Sequence, residues 1–178
     1  MAEQLWYLDH LEKGNKYDTL GQGGHSTDYV NWALKTAEDP DVGYCQTHRK
    51  YNENPNGSKD VDCSSFVYYA LKESGYDVMS YTTTPFSTRD EPEILRGLGF
   101  TEMDFPGVEN CQEGDILWRN NHTEIFSGNG KSVGAHGSDD LPGGHPSGTG
   151  KLATNGDQTG HEVCEVDCSS NWTKIFRP

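Results

Sequence analysis

The 178-residue chain contains no apolar run long enough to cross a bilayer, and its first residues lack the basic-then-apolar pattern of a secretory signal. Membrane insertion is therefore not expected. The chain is expected to be made in the cytoplasm, and a destination outside it would need another release route. Basic residues are scarce: 14 Lys and Arg stand against 28 Asp and Glu, giving a net charge of -14 at pH 7. Nucleic acid and anionic lipid surfaces both call for basic patches, so neither is expected as a partner. Acidity by itself signifies no more than solubility. Cysteines are few and odd in number: Cys45, Cys63, Cys111, Cys164 and Cys168 leave at least one thiol unpaired, at spacings unlike a disulfide framework. A Cys164–Cys168 bridge, or another, stays open after release. Tightly spaced metal-ligand pairs are missing as well. His161, Cys164 and Cys168, with His145 nearby, come nearest to a zinc cluster, and no metal or cofactor is expected.

Aromatic residues are not scarce. Nine Tyr, six Phe and four Trp argue for a folded globule despite a mean hydropathy of -0.83. The length suits one domain with a real core. Residues 1–27 read as an N-terminal extension ending in the flexible link Gly21-Gln22-Gly23-Gly24-His25. Residues 28–38 read as a helix with Tyr29, Val30, Trp32, Ala33, Leu34 and Ala37 on its apolar side, capped by Asp28 or Thr27 and stopped at Asp39-Pro40. Asn54-Pro55-Asn56-Gly57 is a turn signal. Residues 81–85 read as extended and 90–97 as a short helix closed by Gly97 or Gly99. Residues 114–118, 122–126 and 131–136 read as strands, the last two joined by a Gly128-Asn129-Gly130 hairpin turn. A long Gly/Ser/Pro/Asp loop over 137–160 and closing strands over 162–166 and 172–176 complete an α+β domain spanning residues 28–178.

Within this frame, residues 61–71 carry the chemistry. Asp62 is a suitable N-cap, Phe66, Val67, Ala70 and Leu71 recur at helical spacing, and Gly75 offers a stop. Cys63 then lies in the first turn, where the helix dipole and unpaired N–H groups favour a thiolate. A nucleophilic thiol needs a base in reach and a partner that orients the base. His122 opens a strand, and His136 ends the next strand one hairpin away. The Val-Asp-Cys-Ser-Ser sequence of 61–65 recurs at 166–170. The second copy is followed by Asn171-Trp172 with no room for a helix, so Cys168 is the weaker nucleophile candidate.

Asp62-Cys63-Ser64-Ser65-Phe66-Val67, Gly114-Asp115-Ile116-Leu117, His122-Thr123-Glu124-Ile125-Phe126 and Gly128-Asn129-Gly130-Lys131 together resemble the NlpC/P60 peptidoglycan hydrolases. Gly43-Tyr44-Cys45-Gln46 with Arg49, Val133-Gly134-Ala135-His136 and Gly156-Asp157-Gln158-Thr159-Gly160 are similar to the phage endolysin amidase group Amidase_5. The resemblance implies a papain-like fold, with the cysteine helix packed on a mainly antiparallel sheet. It implies amide hydrolysis in the bacterial cell wall, with peptidoglycan as partner and access by a route such as phage lysis. Carried over, Cys63 is the nucleophile and His122 the general base and later acid. The usual orienting position falls on Gly134, a departure. His136, two residues on along the same strand face, is assigned that role. Tyr44 is implied as a substrate-binding residue, and a backbone N–H of Cys63 or Ser64 as the oxyanion donor. Asp157 and Gln158 are left as a turn bordering the cleft.

Two bonds fit such a triad: muramic acid to L-Ala, and a stem-peptide bond next to D-Glu. Trp118, Tyr81 and Phe86 are expected to wall a sugar groove, and Asp139, Asp140 and Asp157 in the 137–160 loop, opposed only by Lys151, disfavour a carboxylate ligand. Both considerations favour the N-acetylmuramoyl-L-alanine amidase. A rival of another class is a wall-binding or phage tail module that has kept the fold without catalysis.

Overall fold

The computed structural model describes residues 26–137 and 162–178. The N-terminal extension through residue 25 and most of the 137–160 loop, with His145, Asp157, Gln158 and His161, lie outside the described residues.

Helix α1 (Ser26–Ala37) buries Tyr29, Val30 and Ala33. Helix α2 (Cys63–Glu73) begins at a reciprocal cap: the Asp62 carboxylate accepts from Ser65 N–H at 2.8 Å, and Ser65 Oγ accepts from Asp62 N–H at 2.8 Å. It ends as its sequence predicts. Gly75, at φ +87°, lets its own N–H reach Lys72 O and the N–H of Tyr76 reach Leu71 O. Helix α3 (Glu91–Gly97) closes in the same way through Gly99, at φ +96°.

Strands β1 (Thr101–Asp104), β2 (Ile116–Arg119), β3 (His122–Gly128), β4 (Lys131–Ala135), β5 (Val163–Asp167) and β6 (Lys174–Arg177) form one antiparallel sheet in the order β1-β6-β2-β3-β4-β5. Alternation divides the side chains between two faces. Ile116, Ile125, Val133, Ala135 and Phe176 share one core with Tyr29, Phe66, Val67 and Ala70 of α1 and α2. Leu117, Phe126 and Ile175 face the other way, where Trp172 covers them.

Sequence and structure differ at three places. Residues 81–85 form no strand; a 3-10 turn over Val78–Ser80 carries Tyr81 back to donate its hydroxyl to Gly97 O at 2.5 Å. Strand β1 has no alternating apolar pattern because it lies at the sheet edge with both faces partly exposed. Asn120-Asn121, between the strands read over 114–118 and 122–126, is a two-residue hairpin turn. Arg119 pairs with His122, and Asn121 takes φ +67°. The Gly114-Asp115 pair turns out to be an anchor. The buried Asp115 carboxylate accepts both Arg177 Nε at 2.8 Å and Nη2 at 2.6 Å, fastening β6 beside β2.

Candidate active site

Cys63 is the first residue of α2, in line with the helix-terminal placement read from sequence. The cap that seats it is itself held. Arg49 forks onto Asp62, with Nε 2.6 Å from Oδ2 and Nη2 3.0 Å from Oδ1. The same guanidinium donates to Ser64 Oγ at 2.9 Å and to the carbonyls of Pro85 and Phe86. One cation thus ties the helix N-terminus to a distant loop. A short parallel bridge, Tyr44 to Val61, brings Tyr44 alongside.

His122 enters from the sheet. Cys63 and His122 line the same open cleft of about 500 Å³, together with Tyr44, Arg49, Ser64 and Arg119. Cys63 Sγ lies 3.9 Å from the carbonyl oxygen of Asn121, the residue preceding His122. The hairpin turn between β2 and β3 therefore brings the start of β3 beside the thiol. The His122 ring is stacked on Trp172, with centroids 5.6 Å apart and planes at 16°, and the Arg119 guanidinium lies over the same indole at 5.6 Å.

Behind His122 stands a buried polar group. Glu124 Oε1 is 2.8 Å from His122 Nε2 and 3.5 Å from His136 Nδ1. The His122 and His136 rings are 5.7 Å apart, with the carboxylate reaching both. Burial opposes the charge on Glu124. The His122 hydrogen bond, the fields of His136 and His122, and the Ser132 hydroxyl outweigh it and hold the carboxyl below its usual range. These three residues are also the one group among the described residues whose donor atoms, all within 4.8 Å of one another, could converge on a cation. The 2.8 Å separation of Glu124 and His122 suits direct hydrogen bonding, and the 3.5 Å approach of His136 suits an ion pair.

The predicted site residues divide. Cys63, His122, Tyr44 and Ser64 come together at the cleft, and His136 lies behind it, fully buried. Trp118 does not line the cleft. Its indole N–H donates to Thr88 O at 2.8 Å, so it supports the wall from behind. Phe86 is in the core against Tyr68, and Tyr81 is held over Gly97, so neither lines this cleft. Position 134, where the resemblance calls for a polar residue, is a glycine facing Glu124. Cys168 follows β5 rather than opening a helix; burial, then the field of Glu124, pushes its thiol up to about 11. Burial, then Glu124, likewise pushes Cys164 up to about 12, and the five cysteines are thiols rather than disulfides. Sequence reasoning missed Glu124, Trp172 and the cap-holding role of Arg49. A signal existed for Glu124 alone: it is two residues from His122 on a strand.

Fold and site define a class: an α+β domain in which a helix-terminal thiol and a strand-borne imidazole share one cleft. No family model and no curated protein matches the chain. Among solved structures it is similar to the P60 domain of an antigen from M. avium subspecies paratuberculosis, at 12% identity and TM-score 0.45, covering 85% of this chain and 93% of that one. It is also similar to NlpC1 from Trichomonas vaginalis, at 12% identity and TM-score 0.46, covering 91% of this chain and 47% of that one. The chain thus spans about half the length of the second.

Proposed function

We propose that the protein is a cysteine-dependent hydrolase of an amide bond in bacterial peptidoglycan. The observation that carries this reading is the shared cleft of Cys63, at the N-terminus of α2, and His122, at the start of β3. In the proposed reaction His122 takes the Cys63 proton and the thiolate attacks the amide carbonyl. The oxyanion is held by N–H groups of the first turn, at Cys63 or Ser64. The imidazolium then returns the proton to the leaving amine. Water, activated by His122, hydrolyses the thioester and frees the thiol. The orienting role proposed for His136 is exerted through the buried group behind His122.

The Amidase_5 resemblance supports the bond between muramic acid and L-Ala as the one cut, with a phage lysin as the setting. A second reading, cleavage beside D-Glu, draws support from the cleft itself. Its described wall carries Arg119 and the Arg49–Asp62 pair, with Tyr44 as its aromatic residue, which suits a charged peptide better than a sugar. End-group analysis of digested wall tests both. New L-Ala amino groups with glycan stripped of peptide are expected for the amidase. New amino groups on the third stem residue, with L-Ala still attached, would replace it by the endopeptidase. Undigested wall would remove both and leave a binding module.

A further inference from the structure

Glu124 and Gly134 occupy one volume. The pairing of Ile125 with Val133 places Glu124 directly opposite Gly134 on the same face of the sheet. A Cβ at Gly134 would stand 2.7 Å from Glu124 Cγ and 3.3 Å from Glu124 Cβ, closer than a side chain tolerates. Gly134 does not need its backbone freedom, since it is absent from the left-handed glycines. Its missing side chain is accounted for by the carboxylate lying across it. That carboxylate is buried, with Oε1 2.8 Å from His122 Nε2 and Oε2 accepting from the Ser132 hydroxyl on β4.

We infer that Glu124 is the positioning residue that holds the His122 imidazole, and that Gly134 is glycine in order to admit it. The inference rests on the proposed Cys63–His122 chemistry and adds to it. An ionised carboxylate only accepts, so Nε2 must carry the ring proton and Nδ1 keeps the lone pair needed to take the Cys63 proton. Ser132 fixes the second carboxylate oxygen, which stops the group from rotating. His136 lies 3.5 Å from the same Oε1 and acts on His122 through it. The base and the carboxylate that positions it therefore share one strand, two residues apart, and the neighbouring strand contributes space.

The test uses the full chain and five variants: Glu124→Gln, Glu124→Leu, Glu124→Gly, Gly134→Asn and the double Glu124→Gly/Gly134→Asn. For each, kcat and KM on purified wall, the rate of Cys63 alkylation by iodoacetamide, and thermal unfolding are measured. Glu124→Leu is expected to lower kcat about 10³-fold with KM within about twofold, and to slow alkylation. Glu124→Gln is expected to lose only about 10- to 100-fold, because Ser132 can turn to accept from the amide and leave its carbonyl toward His122. In the double variant an Asn carbonyl faces the imidazole from across the ladder, and kcat should exceed that of Glu124→Gly by about tenfold or more. Glu124→Leu with wild-type kcat, equal losses in Glu124→Gln and Glu124→Leu, or a double variant no better than Glu124→Gly would each overturn the inference. Should Glu124→Leu fail to fold, Glu124→Gln and the double variant decide. If wild-type protein releases nothing from wall, the hydrolase reading falls, but alkylation still decides this one: slower in Glu124→Leu supports it, unchanged overturns it.

Discussion

At the scale of single residues, the chain offers two cysteines in identical local sequence and places them in opposite environments. Cys63 has a helix terminus, a fixed cap and a cleft; Cys168 has a half-buried strand end where burial keeps the thiol protonated at neutral pH. Cys63→Ala should lower wall lysis by about 10³-fold or more while leaving the melting temperature nearly unchanged, whereas Cys168→Ala should keep most activity. Loss confined to Cys168→Ala would mean that the other copy of the motif is the nucleophile. The two histidines should separate in the same assay. His122→Ala removes the base and should cost about 10²–10⁴-fold. His136→Ala leaves the 2.8 Å contact of Glu124 with His122 in place and should cost much less. Equal losses would show that His136 meets His122 directly.

Helix α2 works as an element because its first turn is fastened from outside. A helix N-cap contributes about 0.5–2 kcal/mol. Here Asp62 also accepts the Arg49 fork, which reaches on to the 85–86 carbonyls. Asp62→Ala should therefore destabilise the protein by about 1–3 kcal/mol in chemical denaturation, more than a lone cap, because it also leaves the partly buried Arg49 without its carboxylate. Asp62→Asn keeps the cap and should fall between. A loss below about 0.5 kcal/mol for Asp62→Ala would show that the Arg49 contact adds nothing. Much of this element was legible in sequence: the Asp-Cys-Ser-Ser start, the apolar spacing and the Gly75 stop all reappear. The Arg49 tether was not. It joins residues 13 and 36–37 positions apart, and no local pattern encodes that distance.

At the scale of the whole molecule, two buried carboxyls contribute to the pH dependence of stability with opposite signs. Burial raises the Glu91 pKa far above the usual range, so the native state keeps a proton that the unfolded chain gives up above about pH 4.3. Its effect is to lower stability as pH rises past that value. The Glu124 pKa is lowered, so its contribution is complete above about pH 4.3 and is lost as pH falls through the folded-state value. In thermal melts across pH, Glu91→Gln should match wild type near pH 4 and exceed it near pH 8, since Thr123 can still donate to the amide oxygen. A variant less stable than wild type at pH 8 would show that Glu91 is ionised in the fold. Activity should survive EDTA and be blocked by iodoacetamide. Inactivation by chelation with recovery on added zinc would instead turn His122, Glu124 and His136 into metal ligands.

The sequence by itself determined what depends on near neighbours. Helix starts and stops follow from caps and glycines a few residues away, and the β3–β4 hairpin follows from Gly128-Asn129-Gly130 between two alternating segments. The order of cysteine and histidine along the chain carries the resemblance to a hydrolase. Tertiary structure decided what depends on distant partners. Trp118, Tyr81 and Phe86 read alike as aromatics in sequence, yet one backs the cleft wall, one covers Gly97 and one enters the core, because each follows a hydrogen bond or ring contact with a remote segment. Strand β6 slides between β1 and β2, where the buried Asp115 pairs with Arg177 across 62 positions. The exchange of a side chain at 134 for one at 124 is visible only when β3 and β4 are laid in register. A volume filled by either of two strands belongs to neither sequence segment alone.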